Sequence, residues 1–478
     1  MRKIFVMLCV CVSCILNAQE NVLSSEKCSE TMAAIYSLDE AKFTTNLTQV
    51  TDKALAAYLT EYWALMKYTS ANNKQNYKTY MQKSDDALDA VEDHKYEYTL
   101  RSNILIHRCL VDMSEGNMLS GGIQFWKSYR AFKEGEEKYP NYDGQLMLRG
   151  IYNILLSQIP DKWRGLAGFF GFGKGDLKKG FEQISAYREK VKNVVGVGEE
   201  SLVVSFANFF LSQEQTVSAE MATAMKSSKS PLVLYAYLLS MGRKQRGAEA
   251  DEVLQSIDSK LFTTFPLLYQ QKSKFALRRL DADNCITYAD KFLRIYKGIA
   301  CLNDAYLLKG YAYLLKGDAA QAQQFGDKCA AMSASSDVDK RTQADAKRMA
   351  ITDVEMLKAR MQFEYGNFSE SRKILASMTP KPSDILEYHF RIGRAEDMMG
   401  NRAAANKSYQ QVVSLSGNDK RYFGPYAAVY QAEIKMKAGD KAAAKQLLAK
   451  AKSMNNGEFS KEIDQRIAID LRTIEEQQ

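Results

Sequence analysis

Three short glycine turns recur near the C-terminal end of the sequence at nearly constant spacing. The segments YGNFSES, MGNRAAA and AGDKAAA place these glycines at Gly366, Gly400 and Gly439, which are 34 and 39 residues apart. Each turn separates two stretches in which apolar residues recur with helical periodicity. A period of this length accommodates two helices and two turns. The sequence therefore predicts a series of stacked helical hairpins.

Small residues occupy matching positions in the two helices of each predicted hairpin. Such residues are expected where neighbouring helices approach closely. A large residue four positions after the small residue of the second helix is expected to fill the space between hairpins. In the first helices the small residues are Gly310, Ala359, Gly393 and Ala432; in the second helices they are Ala322, Ser371, Ala405 and Ala444, and the large residues are Leu375, Tyr409 and Leu448.

This pattern resembles the tetratricopeptide repeat. Tyr306, Gly310 and Tyr313 stand at the spacing of its W-x-x-L-G-x-x-Y signature, and Gly317 follows as the turn. Only 7 prolines occur in 478 residues, and no linker rich in Pro, Gly or Ser divides the chain. We therefore expect an all-α fold, a tetratricopeptide-type helical-hairpin solenoid wound as a right-handed superhelix. An irregular helical bundle is the alternative.

Four segments are expected along the chain. Residues 1–18 have the features of a secretory signal peptide, with Arg2 and Lys3 before an apolar stretch and Ala18 at a small-residue cleavage site. Residues 19–93 form an N-terminal helical segment. Residues 94–215 form an irregular repeat region with a Gly/aromatic loop at 160–176. Residues 216–478 form the repeat array, with a turn around Gly242 and the amphipathic C-terminal tail as its capping helix.

The signal segment predicts export to the periplasm, with the outer membrane surface as a peripheral location. Cys28, Cys109, Cys285, Cys301 and Cys329 lie beyond that segment, and they are scattered and odd in number. A disulfide scaffold would be denser. We expect small buried side chains, and one bridge among Cys285, Cys301 and Cys329 is the alternative.

The segment GFFGFGKGD, residues 168–176, has the glycine and lysine spacing of a phosphate-binding loop. Such a loop needs a buried strand before it and a Ser or Thr directly after its lysine. Here Gly175 follows Lys174, and Pro160 interrupts the residues before the segment. We therefore interpret the spacing as a false motif and expect no nucleotide.

Two interpretations of this loop stay open. In the favoured one, the glycines permit turns, the phenylalanines pack under neighbouring helices, and Asp176 caps the next helix. In the other, the aromatic side chains insert into a membrane interface beside lysines. The residues concerned are Trp163, Phe169, Phe170, Phe172 and Lys174.

A wider stretch, LRGIYNILLSQIPDKWRGLAGFFGFGKGDLKKGFEQI from Leu148, resembles the signature of the inclusion-body clearance and tetratricopeptide repeat protein 39 family. Gly150, Pro160, Gly175 and Gly180 carry the resemblance together with the Gly-Phe before Gly175. It implies a helical repeat architecture over most of the chain from about residue 90. The family is associated with the mitochondrial outer membrane, whereas this chain has an export signal, so we carry over the architecture alone.

No pattern of catalytic or metal-binding residues stands out. His94, His107 and His389 are the only histidines, and none belongs to an H-E-x-x-H motif or neighbours a Cys pair. The net charge of +8 comes from interleaved acidic and basic residues rather than a basic stripe. We expect no enzyme activity, no cofactor, no metal and no nucleic acid, and we interpret His94 and His107 as polar-face or core residues.

The first helices of the repeats are expected to supply a concave binding wall. In each first helix, two positions are expected to face the groove: the residue directly after the small residue, and the residue four positions before that one. Together these positions form an apolar row flanked by Arg and Tyr. Such a row suits a protein or peptide ligand of acidic or apolar character, and predicts a scaffold or adaptor in the bacterial cell envelope. A peripheral membrane or lipid-handling protein is the alternative. The groove candidates are Tyr311, Met356, Arg360, Phe390, Arg394 and Glu433.

Overall fold

A computed structural model describes the chain at residues 26–140, 143–157, 171–191, 228–334 and 337–476, and at the single positions 159, 165, 168 and 223. These residues form α-helices joined by short turns, with two short 3₁₀ helices and no strand among them. The predicted all-α class is therefore confirmed.

The helices follow one another as pairs. In the N-terminal half they are α1 (Glu26–Ser37), α2 (Glu40–Leu47), α3 (Lys53–Ser70), α4 (Lys74–Ala90), α5 (Glu97–Ser114), α6 (Met118–Lys138), α7 (Asp143–Ser157), α8 (Leu177–Val191), α9 (Pro231–Arg243) and α10 (Gly247–Ser256). They continue as α11 (Ser259–Thr264), α12 (Leu267–Arg278), α13 (Ala282–Ile295), α14 (Leu302–Leu315), α15 (Ala319–Ala331), α16 (Asp337–Lys347), α17 (Val354–Tyr365), α18 (Phe368–Ser377), α19 (Ile385–Met398), α20 (Arg402–Leu415), α21 (Phe423–Lys437), α22 (Lys441–Met454) and α23 (Ser460–Glu476).

Two compact units contain these helices. The first comprises the described residues up to 275 together with 283–310 and 323–347, and the second comprises 276–282, 311–322 and the described residues from 348 onward. In the first unit α3 packs on α4, α5 on α6 and α7 on α8. Its core is rich in large aromatic side chains, including Tyr58, Tyr62, Tyr152 and Phe292. Neighbouring hairpins share this core, since a single hairpin has too little apolar surface to bury alone.

The second unit is a regular succession of hairpins. α17 pairs with α18, α19 with α20, and α21 with α22, and each hairpin packs on the next. α23 then covers the last hairpin, where Ile463, Ile467 and Ile474 join its core. This packing is consistent with the capping role expected of the C-terminal tail, which stays a prediction.

The turn glycines have the backbone conformation that the repeat requires. φ is 107° at Gly366, 85° at Gly400 and 81° at Gly439, all in the left-handed region that favours glycine after a helix. The predicted small residues of both helices are buried, and the three large residues that follow them are fully buried. These hairpins are therefore of the tetratricopeptide type, as predicted.

The turn expected around Gly242 follows that residue closely, since α9 ends at Arg243 and α10 begins at Gly247. α9 continues through Gly242 because Leu238 and Met241 are both buried in the core, and burying them requires the helix to persist. Gln245 is the residue with left-handed backbone, at φ 53°. The turn itself therefore occupies residues 244–246.

The handedness of the superhelix and the segment boundaries remain predictions. The boundaries expected after residues 18 and 215 lie outside the described residues. The boundary after residue 93 falls between α4 and α5.

Candidate functional site

Charged and tyrosine side chains form a row along the first helices of the hairpins in the second unit. We call this row the arginine–tyrosine face. Its side chains are partly exposed, apart from Arg391, which is buried. Successive members on one helix are three or four residues apart, so they share one side of that helix. The face consists of Arg360, Glu364, Glu387, Arg391, Arg394, Tyr422, Tyr426, Tyr430 and Glu433.

Glu364 on α17 is held between two guanidinium groups. Arg360 Nε lies 3.0 Å from Glu364 Oε1, and Arg278 Nη2 lies 3.2 Å from Oε2. Burial raises the pKa of Glu364, but Arg360 and Arg278 outweigh it and bring the pKa down to about 2. The carboxylate therefore stays ionised and fixes the orientation of both arginines.

Glu387 and Arg391 form a second ion pair on α19. Arg391 donates from Nε and Nη2 to Glu387 Oε1 at 3.0 and 2.7 Å, and its Nη2 lies 3.5 Å from the Tyr422 hydroxyl. Burial raises the pKa of Glu387, yet Arg391 and Arg360 bring it below its ordinary value. This pair is buried enough to be little screened by salt.

Arg394 stacks on an aromatic ring instead of pairing closely with an acid. Its guanidinium carbon lies 4.1 Å from the centre of the Tyr430 ring and 5.4 Å from that of Phe363. The nearest carboxylate oxygen, on Asp397, is 3.8 Å from Nη1. A cation over a tyrosine face is stabilised by the ring quadrupole. Arg394 is thereby held against α21.

The C-terminal end of the face is acidic. Arg466 of α23 donates to Glu433 Oε1 from Nε at 2.8 Å, and its Nη2 lies 2.7 Å from the same oxygen. Asp470, one turn further along α23, is 7% exposed, and its Oδ2 is buried without a hydrogen bond from the described residues. Burial and the charge of Glu433 raise the pKa of Asp470 to about 7 despite Arg466.

The groove candidates divide into two groups. Tyr311, Met356 and Phe390 are each 5% exposed and belong to the packed interior of the second unit, so the expected apolar row joins helices together. Arg360, Arg394 and Glu433 reach the surface and belong to the arginine–tyrosine face.

The sequence interpretation did not include Glu387, Arg391 or the tyrosines of the face. The residues Tyr422, Tyr426 and Tyr430 recur every four positions, and this spacing on a first helix was a usable signal. Arg466 and Asp470 had no such signal, since their place beside Glu433 depends on how α23 docks.

The glycine-rich segment is partly described, and Phe172 is the residue of its described part that packs against neighbouring aromatic rings. The Phe172 ring lies 5.3 Å from that of Phe125 and 5.2 Å from that of Tyr129, both on α6. Asp176 Oδ1 accepts a hydrogen bond from the Lys179 amide at 2.9 Å and caps α8, as predicted. Lys174 is exposed. Trp163, Phe169 and Phe170 lie outside the described residues.

The histidines of the first unit have structural surroundings. His107 is fully buried, with Nδ1 3.0 Å from Glu61 Oε2 and its ring 5.4 Å from that of Tyr62. His94 Nε2 lies 3.1 Å from Asp52 Oδ2, and Asp52 also caps α3. His107 is thus a core residue, as predicted.

Other features of the described residues bear on the remaining expectations. Of the five cysteines in the described part of the chain, Cys28, Cys109, Cys285 and Cys329 are buried, as the favoured interpretation predicted. Over the described ranges, no group of three or more His, Cys, Asp or Glu side chains is placed to share a metal ion. In the same part of the chain, none of the helices combines the length and the apolar character needed to traverse a bilayer.

Comparisons with known proteins found similarity to solved structures alone. No family model matches the sequence, and no curated protein matches it significantly. A chain of the APC/C hetero-tetramer Cut9-Hcn1 shares 12% identity over 95% of this chain and 97% of that chain, with a TM-score of 0.25. Yeast Tom70 shares 12% identity over 95% of this chain and 90% of the Tom70 chain, with a TM-score of 0.34. A monomeric mutant of IFIT1 with m7Gppp-AAAA shares 12% identity over 89% of this chain and 95% of the IFIT1 chain, with a TM-score of 0.28.

Proposed function

We propose that the chain is a non-catalytic scaffold that binds a protein or peptide along the arginine–tyrosine face. The observation that carries this proposal is the ladder of Tyr422, Tyr426 and Tyr430, whose neighbouring rings lie 5.9 and 5.8 Å apart, with arginines beside it. Tyrosine and arginine are enriched at the energetic centres of protein interfaces. Both offer a large contact area and directed hydrogen bonds from one side chain.

The arginines of the face are held in place before any ligand arrives. Arg391 is fixed by Glu387, and Arg394 is fixed by the Tyr430 ring. A guanidinium group has five N–H donors, and the contacts of Arg391 to Glu387 use two of its nitrogens. Arg394 reaches the surface, and its N–H donors suit carboxylates or backbone carbonyls of a partner. Since the side chains are already ordered, less entropy is lost on binding.

We further propose that the protein acts outside the cytoplasm. The signal-like segment at residues 1–18 supports export, and the periplasm, free or peripheral to the outer membrane, is the proposed location. The likeness to the tetratricopeptide repeat protein 39 family then concerns architecture and not location. N-terminal sequencing of the protein isolated from cells tests this, because cleavage at the expected site leaves Gln19 first.

The binding proposal is tested by affinity capture from an envelope extract of the source cells. The bait is the full mature chain, compared with the double variant Arg360→Glu, Arg394→Glu. The matched control is Arg402→Glu, Lys407→Glu, which changes the charge equally at two exposed positions of α20. Reversing a hot-spot charge typically costs more than tenfold in affinity. We expect a partner retained by wild type and control and lost by the face variant.

The same partners on all three baits would refute binding at this face. Loss from both variants would also refute it, since the effect would then follow net charge. Circular dichroism of each bait checks that the helices persist.

A second candidate function is peripheral contact with a lipid surface. α6 exposes three large apolar side chains near its start, Met118 at 63%, Leu119 at 82% and Ile123 at 46%. The Phe172 loop packs further along the same helix. Co-sedimentation with anionic and neutral vesicles tests this function, comparing wild type with Leu119→Ser, Ile123→Ser and with Phe169→Ser, Phe170→Ser. Binding lost in either variant supports it, and no binding by wild type removes it.

A further inference from the structure

We propose that a cluster of lysine and aromatic side chains in the first unit binds an acidic segment of a protein partner, one that carries two or more carboxylate side chains. We call this cluster the lysine–tyrosine patch, and its residues come from α11, α12 and α13. It shares no residue with the arginine–tyrosine face, so it is a second interaction surface beyond the proposed function. The patch consists of Phe262, Tyr269, Lys272, Tyr288 and Lys291.

Three aromatic rings form the base of the patch. The centre of the Phe262 ring lies 4.9 Å from that of Tyr269. The Tyr269 ring is nearly parallel to the Tyr288 ring, and their centres are 6.4 Å apart. Phe262 is buried in the core of the unit, whereas both tyrosines are partly exposed. The rings therefore join three helices into one aromatic surface that solvent reaches.

Two partly exposed lysines lie over these rings. Lys272 Nζ is 4.8 Å from the centres of the Phe262 and Tyr288 rings. Lys291 Nζ is 5.7 Å from the centres of the Tyr269 and Tyr288 rings. The Tyr288 ring thus supports both ammonium groups through its quadrupole. Since this support limits the rotamers of the two long side chains, less entropy is lost when an anion binds them.

Two acidic residues close to the patch in sequence are engaged elsewhere. Asp290 accepts a hydrogen bond from Lys309 Nζ at 2.6 Å, and Asp258 caps α11. α12 itself contains no acidic residue. Within the described part of the chain, the contacts of Lys291 are with aromatic rings and not with a carboxylate. At Lys291 the patch therefore presents a positive charge whose opposite charge an acidic ligand supplies.

The arrangement favours an acidic peptide over a nucleic acid or a membrane. Single-stranded nucleic acids stack their bases on open aromatic faces, and here ammonium groups lie over the rings. Membrane insertion needs exposed apolar side chains, and among the described residues none of the large exposed ones belongs to α11, α12 or α13. An extended peptide places alternate side chains on one side about 7 Å apart, so successive carboxylates can reach the two ammonium groups.

The test measures the affinity of two matched peptides for the full mature chain. The acidic peptide is Gly-Glu-Gly-Glu-Gly-Glu-Gly, the neutral peptide has Gln in place of each Glu, and both carry the same rhodamine label. Fluorescence anisotropy at low and at raised salt measures binding. The patch variant is Lys272→Gln, Lys291→Gln. The charge-matched control is Lys445→Gln, Lys450→Gln, at two exposed positions of α22.

We expect wild type and the control variant to bind the acidic peptide about tenfold more tightly than the neutral one at low salt, and the patch variant to lose most of this preference. Raised salt should reduce the preference, because partly exposed charges are screened. Equal binding of the two peptides by wild type would overturn the inference. Equal loss of the preference in the patch and control variants would also overturn it, since the effect would then follow net charge.

A second pair of variants separates the position of the lysines from their charge. Tyr288→Leu removes the ring that supports both ammonium groups and should weaken binding of the acidic peptide about threefold, whereas Tyr288→Phe keeps the ring and should bind as wild type does. Circular dichroism checks that each variant is folded. Unchanged binding by folded Tyr288→Leu would contradict the arrangement proposed for the patch.

Two further results separate this inference from its competitors. Tighter binding of a labelled oligouridine than of the acidic peptide, lost in the patch variant, would overturn it by assigning the patch to nucleic acid. The capture experiment on the arginine–tyrosine face changes Arg360 and Arg394 and leaves the patch intact. Each proposal can therefore fail while the other holds.

Discussion

Gly150 on α7 and Gly180 on α8 cross at backbone contact distance. A Cβ atom on Gly150 would lie 2.8 Å from the Gly180 carbonyl oxygen, and one on Gly180 would lie 2.7 Å from the Gly150 carbonyl oxygen. We expect Gly150→Ala to destabilise the protein by about 2 kcal/mol, since overpacking against backbone cannot be relieved by rotating a side chain. Urea denaturation followed by circular dichroism measures this.

Gly122 of α6 provides the matched control. It is also helical, but a Cβ atom there would meet nothing within 4 Å. Gly122→Ala should therefore stabilise the protein by about 0.5–1 kcal/mol through helix propensity. Equal effects of the two alanines would contradict the close crossing.

Asn72 joins two segments of the first unit that are far apart in sequence. Its Oδ1 accepts hydrogen bonds from the Tyr296 hydroxyl at 3.1 Å and from the amides of Ile299 and Ala300 at 3.2 and 3.0 Å. Asn72→Ala should destabilise the protein by about 2 kcal/mol because two amides lose their acceptor at once. Tyr296→Phe removes one of the three donors and should cost about 1 kcal/mol or less. A Tyr296→Phe cost equal to that of Asn72→Ala would contradict this account.

Local features of the sequence predicted the hairpins well. Gly366 and Gly400 mark turns because the left-handed backbone there is a property of single residues. The side of a helix that becomes core is set by how the next hairpin packs. The spacing of residues in the sequence does not specify that packing. Met356 and Phe390 therefore turned out buried, whereas Arg391 and Tyr430 joined the face. The place of Asp470 beside the face could not be predicted from the sequence for the same reason.

Gly393 and Tyr409 show how one hairpin packs within itself. A Cβ atom on Gly393 would lie 2.6 Å from the Tyr409 ring, which is fully buried. Gly393→Ala should cost about 2 kcal/mol by overpacking. Combining it with Tyr409→Leu should cost less than the sum of the two single changes, by about 1 kcal/mol, because the smaller side chain makes room. Additive costs in a double-mutant cycle would contradict the contact.

Acid should weaken the second unit through Glu364. The pKa of Glu364 is about 2 in the folded chain against an ordinary value of 4.5. Its contribution to the free energy of unfolding is therefore complete at pH values above 4.5 and is lost as the pH falls toward 2. Glu364→Gln should remove about 2 kcal/mol at pH 7 and flatten the pH dependence between 5 and 2. Urea denaturation as a function of pH measures both. An unchanged acid profile in the variant would refute the role of Glu364.

Asp470 should give stability the opposite dependence on pH. Its pKa is about 7 in the folded chain against an ordinary value of 3.8, because burial and Glu433 disfavour its charge. The folded state therefore holds the proton more tightly, and stability is greatest below the ordinary value and falls as the pH rises toward 7. Asp470→Asn stays neutral, so it should be more stable than wild type at pH 8 by about 2 kcal/mol and similar to it at pH 4. Urea denaturation at the two pH values measures this, and a variant less stable than wild type at pH 8 would show that the carboxylate is stabilised by a contact rather than strained by its neighbour.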